Sequence, residues 1–425
     1  MKFLCTLSRI VIGLLFIFSG LTKAIDPVGF GFVMAEYLKA LGLQFFTPLA
    51  ITGGIALSAF EFLLGASLLV GLQVRLSAFF SMLIMVFFTF FTLWVAIVNP
   101  VQHCGCFGDV IHLSNWETFF KNLIFTPFTL LLVWQRKRFE PVTFKKWEWG
   151  TIAIFGIASV LLSLHCYRHL PLMDFTGFKT GNNIPQAMTI PEGAPLRQYQ
   201  TTFTYQKDSK TQTFTLDQLP DSSWTYVSHK TKLIHAGTIP EIPQFDISTY
   251  RQNRYVTDSL LAIKGYLLAL SLPYADKAKA GAIKKAALLS QEVAGIPFIV
   301  ISGSGEGQTA ALLQEHGLDA PAYFLDAKVL YTMVRSNPGL SLLYDATVVA
   351  KWSAFDIPSP AALKQLMGRD WEVAAAKSRI RENLTIEIMA IGLLLLFALL
   401  HSVFHRHHTR KSNRHDTDPS VSKAV

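Results

Sequence analysis

The chain has 425 residues, of which 51% are hydrophobic and 16% charged, with 33 phenylalanines. Ordinary soluble domains carry about 25% charged residues, so the composition excludes a wholly soluble protein and predicts that much of the chain sits in lipid, with two or three domains in all. The formal net charge of +9 does not mark a nucleic-acid binder, because the basic residues cluster in short segments beside hydrophobic runs.

Met1-Lys2 and the apolar run after them resemble a signal peptide, but no small-residue cleavage site closes the run. It ends in Ser19-Gly20-Leu21-Thr22-Lys23 and reads as a retained first helix. A membrane span needs roughly 20 mostly apolar residues. Candidate spans lie at 4–24, 48–72, 76–98, 116–134, 149–167 and 384–404. The third carries no charge from Leu76 to Val101, whereas the fourth holds Lys121 in its first turns. Trp94, Trp116, Trp134 and Trp149 fall near predicted ends, where amphipathic rings favour the headgroup region.

Lys/Arg asymmetry sets the orientation. With both termini cytoplasmic, the inside segments hold Lys2, Arg9, Arg75, Arg136, Lys137, Arg138, Lys145, Lys146 and the basic tail, and the outside loops hold Lys23 and Lys39. The chain then divides into a membrane domain at 1–135, a cytoplasmic basic loop at 136–148, a fifth span at 149–167, an extracytoplasmic β-rich segment at 168–247, an α/β domain at 248–372, a sixth span at 384–404 and a cytoplasmic tail at 405–425. The histidines of that tail, His405, His407, His408 and His415, lack the Cys partners or helical spacing of a metal site and read as a solvated anchor. The expected setting is the inner membrane of a bacterium, with the large domain in the periplasm.

Glu61 falls near the middle of the second span. A carboxylate there is costly and usually faces the bundle interior with a partner. Lys23 and Asn122 are the candidate partners. Two readings stand: a hydrogen bond that locks the bundle, or a protonatable group beside a quinone or a proton path, which would stay protonated unless a cation pairs with it.

The loop after the third span reads Gln102-His103-Cys104-Gly105-Cys106-Phe107-Gly108-Asp109. In an oxidising compartment a disulfide can persist there. Thiol exchange needs a thiolate and a second sulfur nearby. Cys104 and Cys106 supply both, His103 could assist deprotonation, and Gly105 eases closure of so small a ring. Cys166, at the outer end of the fifth span, is a candidate resolving thiol or structural partner; Cys5 lies at the other end. Two other readings remain open, a permanent structural disulfide and a partial metal site with His103 or His112.

These residues carry a resemblance. Phe18-Ser19-Gly20-Leu21-Thr22-Lys23-Ala24-Ile25-Asp26-Pro27 and the glutamate of the second span resemble DoxX-like proteins. Cys104-Gly105-Cys106-Phe107-Gly108, with Trp116 and Asn122 after it, resembles the MauE branch, over residues 1–135. The resemblance implies a four-helix membrane bundle similar to membrane thiol–quinone proteins. It also implies a role beside methylamine utilisation, in maturing a disulfide-rich partner. The whole architecture is similar to DoxX/MauE-type proteins of the Bacteroidetes.

Beyond the fifth span, short alternating stretches such as Thr202–Tyr205 and Trp224–Val227 predict β-hairpins. Strands are expected at 265–271 and 297–302, helices at 276–293 and 309–316, a hairpin at 340–344 and 348–352, and a closing helix at 361–367. A βαβ unit followed by a hairpin and a helix resembles the thioredoxin fold, and Asn337-Pro338 stands where that family places its cis-proline. The departure is chemical. Leu272-Pro273-Tyr274-Ala275 occupies the position of the family's cysteine pair, and no cysteine follows Cys166. The domain therefore cannot exchange disulfides itself. Either it binds an extended peptide near Tyr274 and Pro338 through backbone hydrogen bonds, or it only stabilises the assembly.

The expectation is thus a helical membrane bundle with an inserted thioredoxin-like α/β domain. Cys104, Cys106, His103, Glu61 and Cys166 are the candidate redox residues, and Glu61, Lys23 and Asn122 the candidate quinone-binding ones. An extracytoplasmic protein is the partner. The alternative is a membrane-anchored assembly scaffold whose cysteines are structural.

Overall fold

The computed structural model describes residues 2–101, 105–108, 110–111, 113–139, 144–195, 197–207, 210–293 and 295–377, together with positions 379, 380, 384, 387 and 392. The first part is helical: α1 (Lys2–Ile25), α2 (Pro27–Ala40), α3 (Ala50–Val70), α4 (Val74–Val98), α5 (Asn115–Trp134) and α6 (Lys145–Arg168). Among the described residues, four stretches are long and apolar enough to cross a membrane: Phe3–Ile25, Gln44–Val70, Val74–Val98 and Lys145–Arg168.

Six spans were expected, and two of them are not among these four stretches. The segment at 116–134 is a helix of the right length, but Asn115, Glu117, Lys121 and Asn122 crowd its first two turns and dilute its hydropathy. Its polar face is spent inside the protein, where Thr126 pairs with Thr89 of α4 at 3.0 Å. The segment at 384–404 lies, but for three positions, outside the described residues.

Helices α1 and α3 pack closely because small residues line their contact. A Cβ on Gly20 would stand 2.6 Å from the Phe62 backbone nitrogen and 2.8 Å from the Ser58 carbonyl. Ser58 uses that closeness to donate to the Gly20 carbonyl at 2.8 Å. Phe155 of α6 closes the other side of α3, its ring 6.3 Å from that of Phe62. Helix α2 was not expected. Its start is well signalled: Asp26 accepts from the Gly29 N–H at 2.8 Å and Pro27 takes the first helical position.

Arg75, Arg136, Lys137 and Arg138 gather at one end of the bundle. There Arg75 donates to the carbonyls of Phe139 and Lys137, and Gln73 donates to Glu148. The other end holds the close of α1, helix α2, a 3-10 turn at Gly105–Phe107 and the last turn of α6, which leads into the α/β domain.

That domain continues with α7 (Ile184–Ala187), β1 (Arg197–Lys207), β2 (Lys210–Thr215), β3 (Thr225–Ala236), α8 (Thr257–Leu261), β4 (Tyr266–Leu272), α9 (Ala280–Glu292), β5 (Phe298–Ser302), α10 (Glu306–Glu315), β6 (Ala322–Phe324), α11 (Ala327–Met333), β7 (Gly339–Tyr344), β8 (Thr347–Trp352) and α12 (Pro360–Met367). Strands β1 to β3 form a separate antiparallel sheet in the order β2-β1-β3. The main sheet runs β6-β5-β4-β7-β8, with β4, β5 and β6 parallel and β7 and β8 antiparallel.

Strand β4 is apolar but for Ser271 and the Tyr266 hydroxyl because both faces of the sheet are covered. Leu268, Leu270 and Leu272 point to α9 and α12 through Ile283, Ala286 and Leu363. Leu267 and Ala269 point the other way, to Phe178, Ile184, Ile242, Phe245, Ile247 and α11. The expected boundary at 247 therefore cuts through one core. Residues flanking the small sheet cover the main one, and β1 to β3 are an excursion from it. Strand β6 and helix α11 were also not expected. Both are short, and β6 gains its pairing from β5 and from Ser248 rather than from its own pattern.

Candidate functional site

The end of the bundle that faces the α/β domain contains a cavity of about 310 Å³. Its walls are apolar and aromatic, with Phe16 from α1, Phe30 and Tyr37 from α2, and Phe88 and Phe91 from α4. Its polar groups are Ser19, Lys23, Glu61, Thr92, Cys106, Lys121 and Asn122. The 3-10 turn at Gly105–Phe107 lies against it.

Lys23 and Glu61 are the central pair. The Lys23 ammonium donates to the two carboxylate oxygens of Glu61 at 2.7 and 2.6 Å. Both residues are nearly inaccessible, at 3% and 2%. Such a pair has surrendered most of its hydration and is held by its geometry and its further hydrogen bonds. Lys23 makes one: it donates to the Ser19 hydroxyl at 2.9 Å. Ser19 in turn donates to the Cys106 carbonyl at 3.0 Å. A continuous chain of hydrogen bonds thus runs from Glu61 to the backbone of the cysteine loop.

Of the two partners expected for Glu61, the structure brings Lys23 to it. Asn122 lines the same cavity but donates to Thr92 at 3.2 Å and to the Phe88 carbonyl at 3.4 Å. His103 and Cys104 lie outside the described residues. Cys166 is a wholly buried thiol in the last turn of α6 and does not line the cavity. Gly105 has a packing reason beyond ring closure: a Cβ there would stand 2.8 Å from a methyl of Val33.

Helix α2 joins the cavity to the α/β domain by its two faces. Phe30, Met34, Tyr37, Leu38 and Leu41 recur at helical spacing and line the cavity. Phe32 and Glu36 point the opposite way. The Phe32 ring lies 5.1 Å from that of Tyr331, and Glu36 forms an ion pair with Lys328. At the helix start, Asp26 accepts from Arg335 Nε at 2.9 Å, an ion pair buried between the two parts of the molecule.

Arg335 stands two residues before Asn337-Pro338, whose peptide is cis. Asn337 donates to the Tyr274 carbonyl at 2.8 Å, so the two segments expected to bind a partner do meet. Tyr274 is 37% exposed, but Pro338 is buried. The Tyr274 ring lies 6.0 Å from that of Tyr331. Burial, followed by the neighbouring Tyr274 and Tyr167, pushes the Tyr331 hydroxyl above its ordinary range and keeps it a neutral phenol. Where a cysteine pair would be needed for exchange, the Ala275 N–H donates to Ser304 instead, at 3.0 Å. Ser302, Thr309 and Tyr250 extend that polar network.

The sequence reading missed α2, Lys121 and Arg335 as parts of this arrangement. For α2 the signal was present in Asp26-Pro27, an N-cap followed by a proline at the first helical position. Lys121 was read only as a fault in a span. For Arg335 no local signal exists, since its partner is 309 residues away.

Residues 1–135 match the family model described as "Methylamine utilisation protein MauE", and residues 199–236, within the small sheet, match a "Domain of unknown function (DUF8463)". No curated protein and no solved structure matches the chain. The family match and the apolar helices together make this a multi-pass membrane protein whose first 135 residues are MauE-like.

Proposed function

We propose that the protein carries out thiol–disulfide chemistry at Cys104 and Cys106 on the outer face of a bacterial inner membrane, in support of the maturation of an extracytoplasmic partner protein. One observation carries this reading: Cys106 lines the same cavity as the buried Lys23–Glu61 pair and is tied to it through Ser19. A basic end opposite the cysteine loop supports an orientation with that end cytoplasmic. The α/β domain, with its sheet order and its cis Asn337-Pro338 peptide, is in this reading a thioredoxin-like module without cysteines. It serves to hold the client near Tyr274. The family's association with methylamine utilisation is consistent with a disulfide-rich client.

The cavity fits a quinone head. Its volume lies at the lower end of small-molecule pockets, roughly 300–1,000 Å³, its walls offer aromatic faces, and Lys23 and Asn122 line it, each able to exchange a present hydrogen bond for one to the quinone. A quinone bound there supplies a sink for the two electrons and two protons released when two thiols become a disulfide. Lys23 and Asn122 would orient it by hydrogen bonds, the phenyl rings of α2 and α4 would exclude water, and Glu61 would hold Lys23 in place.

The test is the redox state of Cys104 and Cys106 in native membranes, read with a mass-tagged maleimide before and after mild oxidant and membrane-impermeant reductant. A tag count that changes reversibly is expected. A count that never changes overturns the reading. It would favour a second one, in which the protein is an assembly scaffold with structural cysteines. The lack of any cysteine after Cys166 supports that alternative, which predicts that replacing Cys104 and Cys106 together leaves function intact.

A further inference from the structure

We infer that Lys121 is a positioning residue for this chemistry, holding the thiolate of the Cys104-Gly105-Cys106 loop by its charge. The inference rests on the reading above and names a group that the reading does not use. Phe120, Leu123 and Ile124 are exposed on the outer face of α5, while Thr118, Asn122 and Thr129 are buried on its inner face. Lys121 is half-buried between them and lines the cavity. Helical side chains lean toward the N-terminus of their helix, which carries its ammonium back toward the cysteine loop. It stands 4.2 Å from the centroid of the Phe107 ring, and Phe107 adjoins Cys106.

Charge decides what that ammonium is for. Among the described residues, the ionisable groups facing the cavity are Lys23 from α1, Tyr37 from α2, Glu61 from α3, Cys106 from the loop and Lys121 from α5; α4 contributes only uncharged groups. Lys23 and Glu61 neutralise each other. Lys121 has no carboxylate partner among the described residues, and an aromatic face is a weak substitute for one. Among the described residues the cavity therefore carries one surplus positive charge, and Cys106 lines the same cavity. A thiolate completes it: the thiol proton leaves to water, and the negative sulfur faces the ammonium. Nearby cations are a standard cause of a lowered thiol pKa. The competing role for Lys121 is to snorkel toward the headgroups and pack on Phe107.

The experiment reads the rate of N-ethylmaleimide labelling of Cys106 against pH, by mass spectrometry of its peptide, in reduced membranes carrying Cys104→Ser. For Lys121→Met the midpoint should move up by about one pH unit and the rate at pH 7 should fall by about tenfold, while Lys121→Arg should keep the parent profile. If Lys121→Met does not accumulate, the same profile is read on Lys121→Gln. An unchanged profile overturns the inference, as does an arginine variant as impaired as the methionine one. The two ideas fail separately. A pair that cycles in native membranes with a profile indifferent to Lys121 defeats only this inference. A shifted profile on a pair that never cycles defeats only the proposed function.

Discussion

In the bundle, Lys23, Glu61 and Lys121 gather around one cavity that Cys106 also lines; in the α/β domain, polar side chains are spent on holding loops together. Lys23, Glu61 and Lys121 sit in apolar surroundings where each charge is costly. Ser302, Ser304, Thr309 and Tyr250 are buried or half-buried too, yet they satisfy one another and the Ala275 N–H. The contrast teaches where reactivity can reside. A polar network that satisfies itself can support a recognition surface, but it offers no thiol for exchange. Helix α2 touches both regions, and with the end of α6, which leads into the α/β domain, it couples one to the other.

The largest effect is expected at the bundle pair. Glu61→Leu leaves the Lys23 ammonium buried without its carboxylate and should cost about 3–5 kcal/mol, whereas Lys23→Met with Glu61→Leu should recover most of that. Thermal unfolding in detergent measures both. A double variant that is stable but no longer cycles its cysteines would assign the pair to chemistry; one that cycles normally would assign it to packing.

Arg335→Met tests the joint between the regions. Truncating one member of a buried hydrogen-bonded pair costs about 2 kcal/mol or more, and here the loss should appear as faster proteolysis of the α/β domain in intact membranes. Asp26→Ala should cost about 1 kcal/mol beyond that, because Asp26 also caps α2. Equal effects of the two would remove the cap from the account.

A smaller effect lies within the α/β domain. Burial pushes the Asp174 carboxyl up, but the charge of Lys351 and hydrogen bonds from Lys351 and Thr176 outweigh it and hold the group below the ordinary carboxylate range. A depressed folded pKa contributes stability above the unfolded value, about 3.9 for Asp, and loses it as pH falls through the folded one. Asp174→Asn should therefore flatten the acid limb of the stability profile below about pH 4, by on the order of 1 kcal/mol. Unfolding followed by tryptophan fluorescence at several pH values checks it. The smallest change belongs to Glu36→Gln. Its pair with Lys328 is exposed, so the loss should stay below about 0.5 kcal/mol and vanish in high salt.

Hydropathy and turn residues made the long apolar helices, the main strands and the Cys-Gly-Cys loop legible, because each is decided by its own residues. Glu61 announced itself in the same way, as a carboxylate in a run of Leu and Phe. Short elements did not: β6 and α11 have too few residues to show a period, and their partners come from elsewhere in the chain. The helix at Asn115–Trp134 was legible as a helix; its polar residues face inward onto α4 and hold it below the apolarity of the four stretches that can cross a membrane.

The sequence by itself determined that this chain enters a membrane, that Cys104 and Cys106 stand two residues apart, and that the α/β domain has no thiol for exchange. Those properties follow from composition and local order alone. Tertiary structure decided the rest: that Lys23 and not Asn122 pairs with Glu61, that Lys121 and Cys106 share one cavity, and that Arg335 clamps Asp26 from the far side of α2. A charge chooses its partner by distance across the packed interior, and distance between remote segments exists only once the chain has folded.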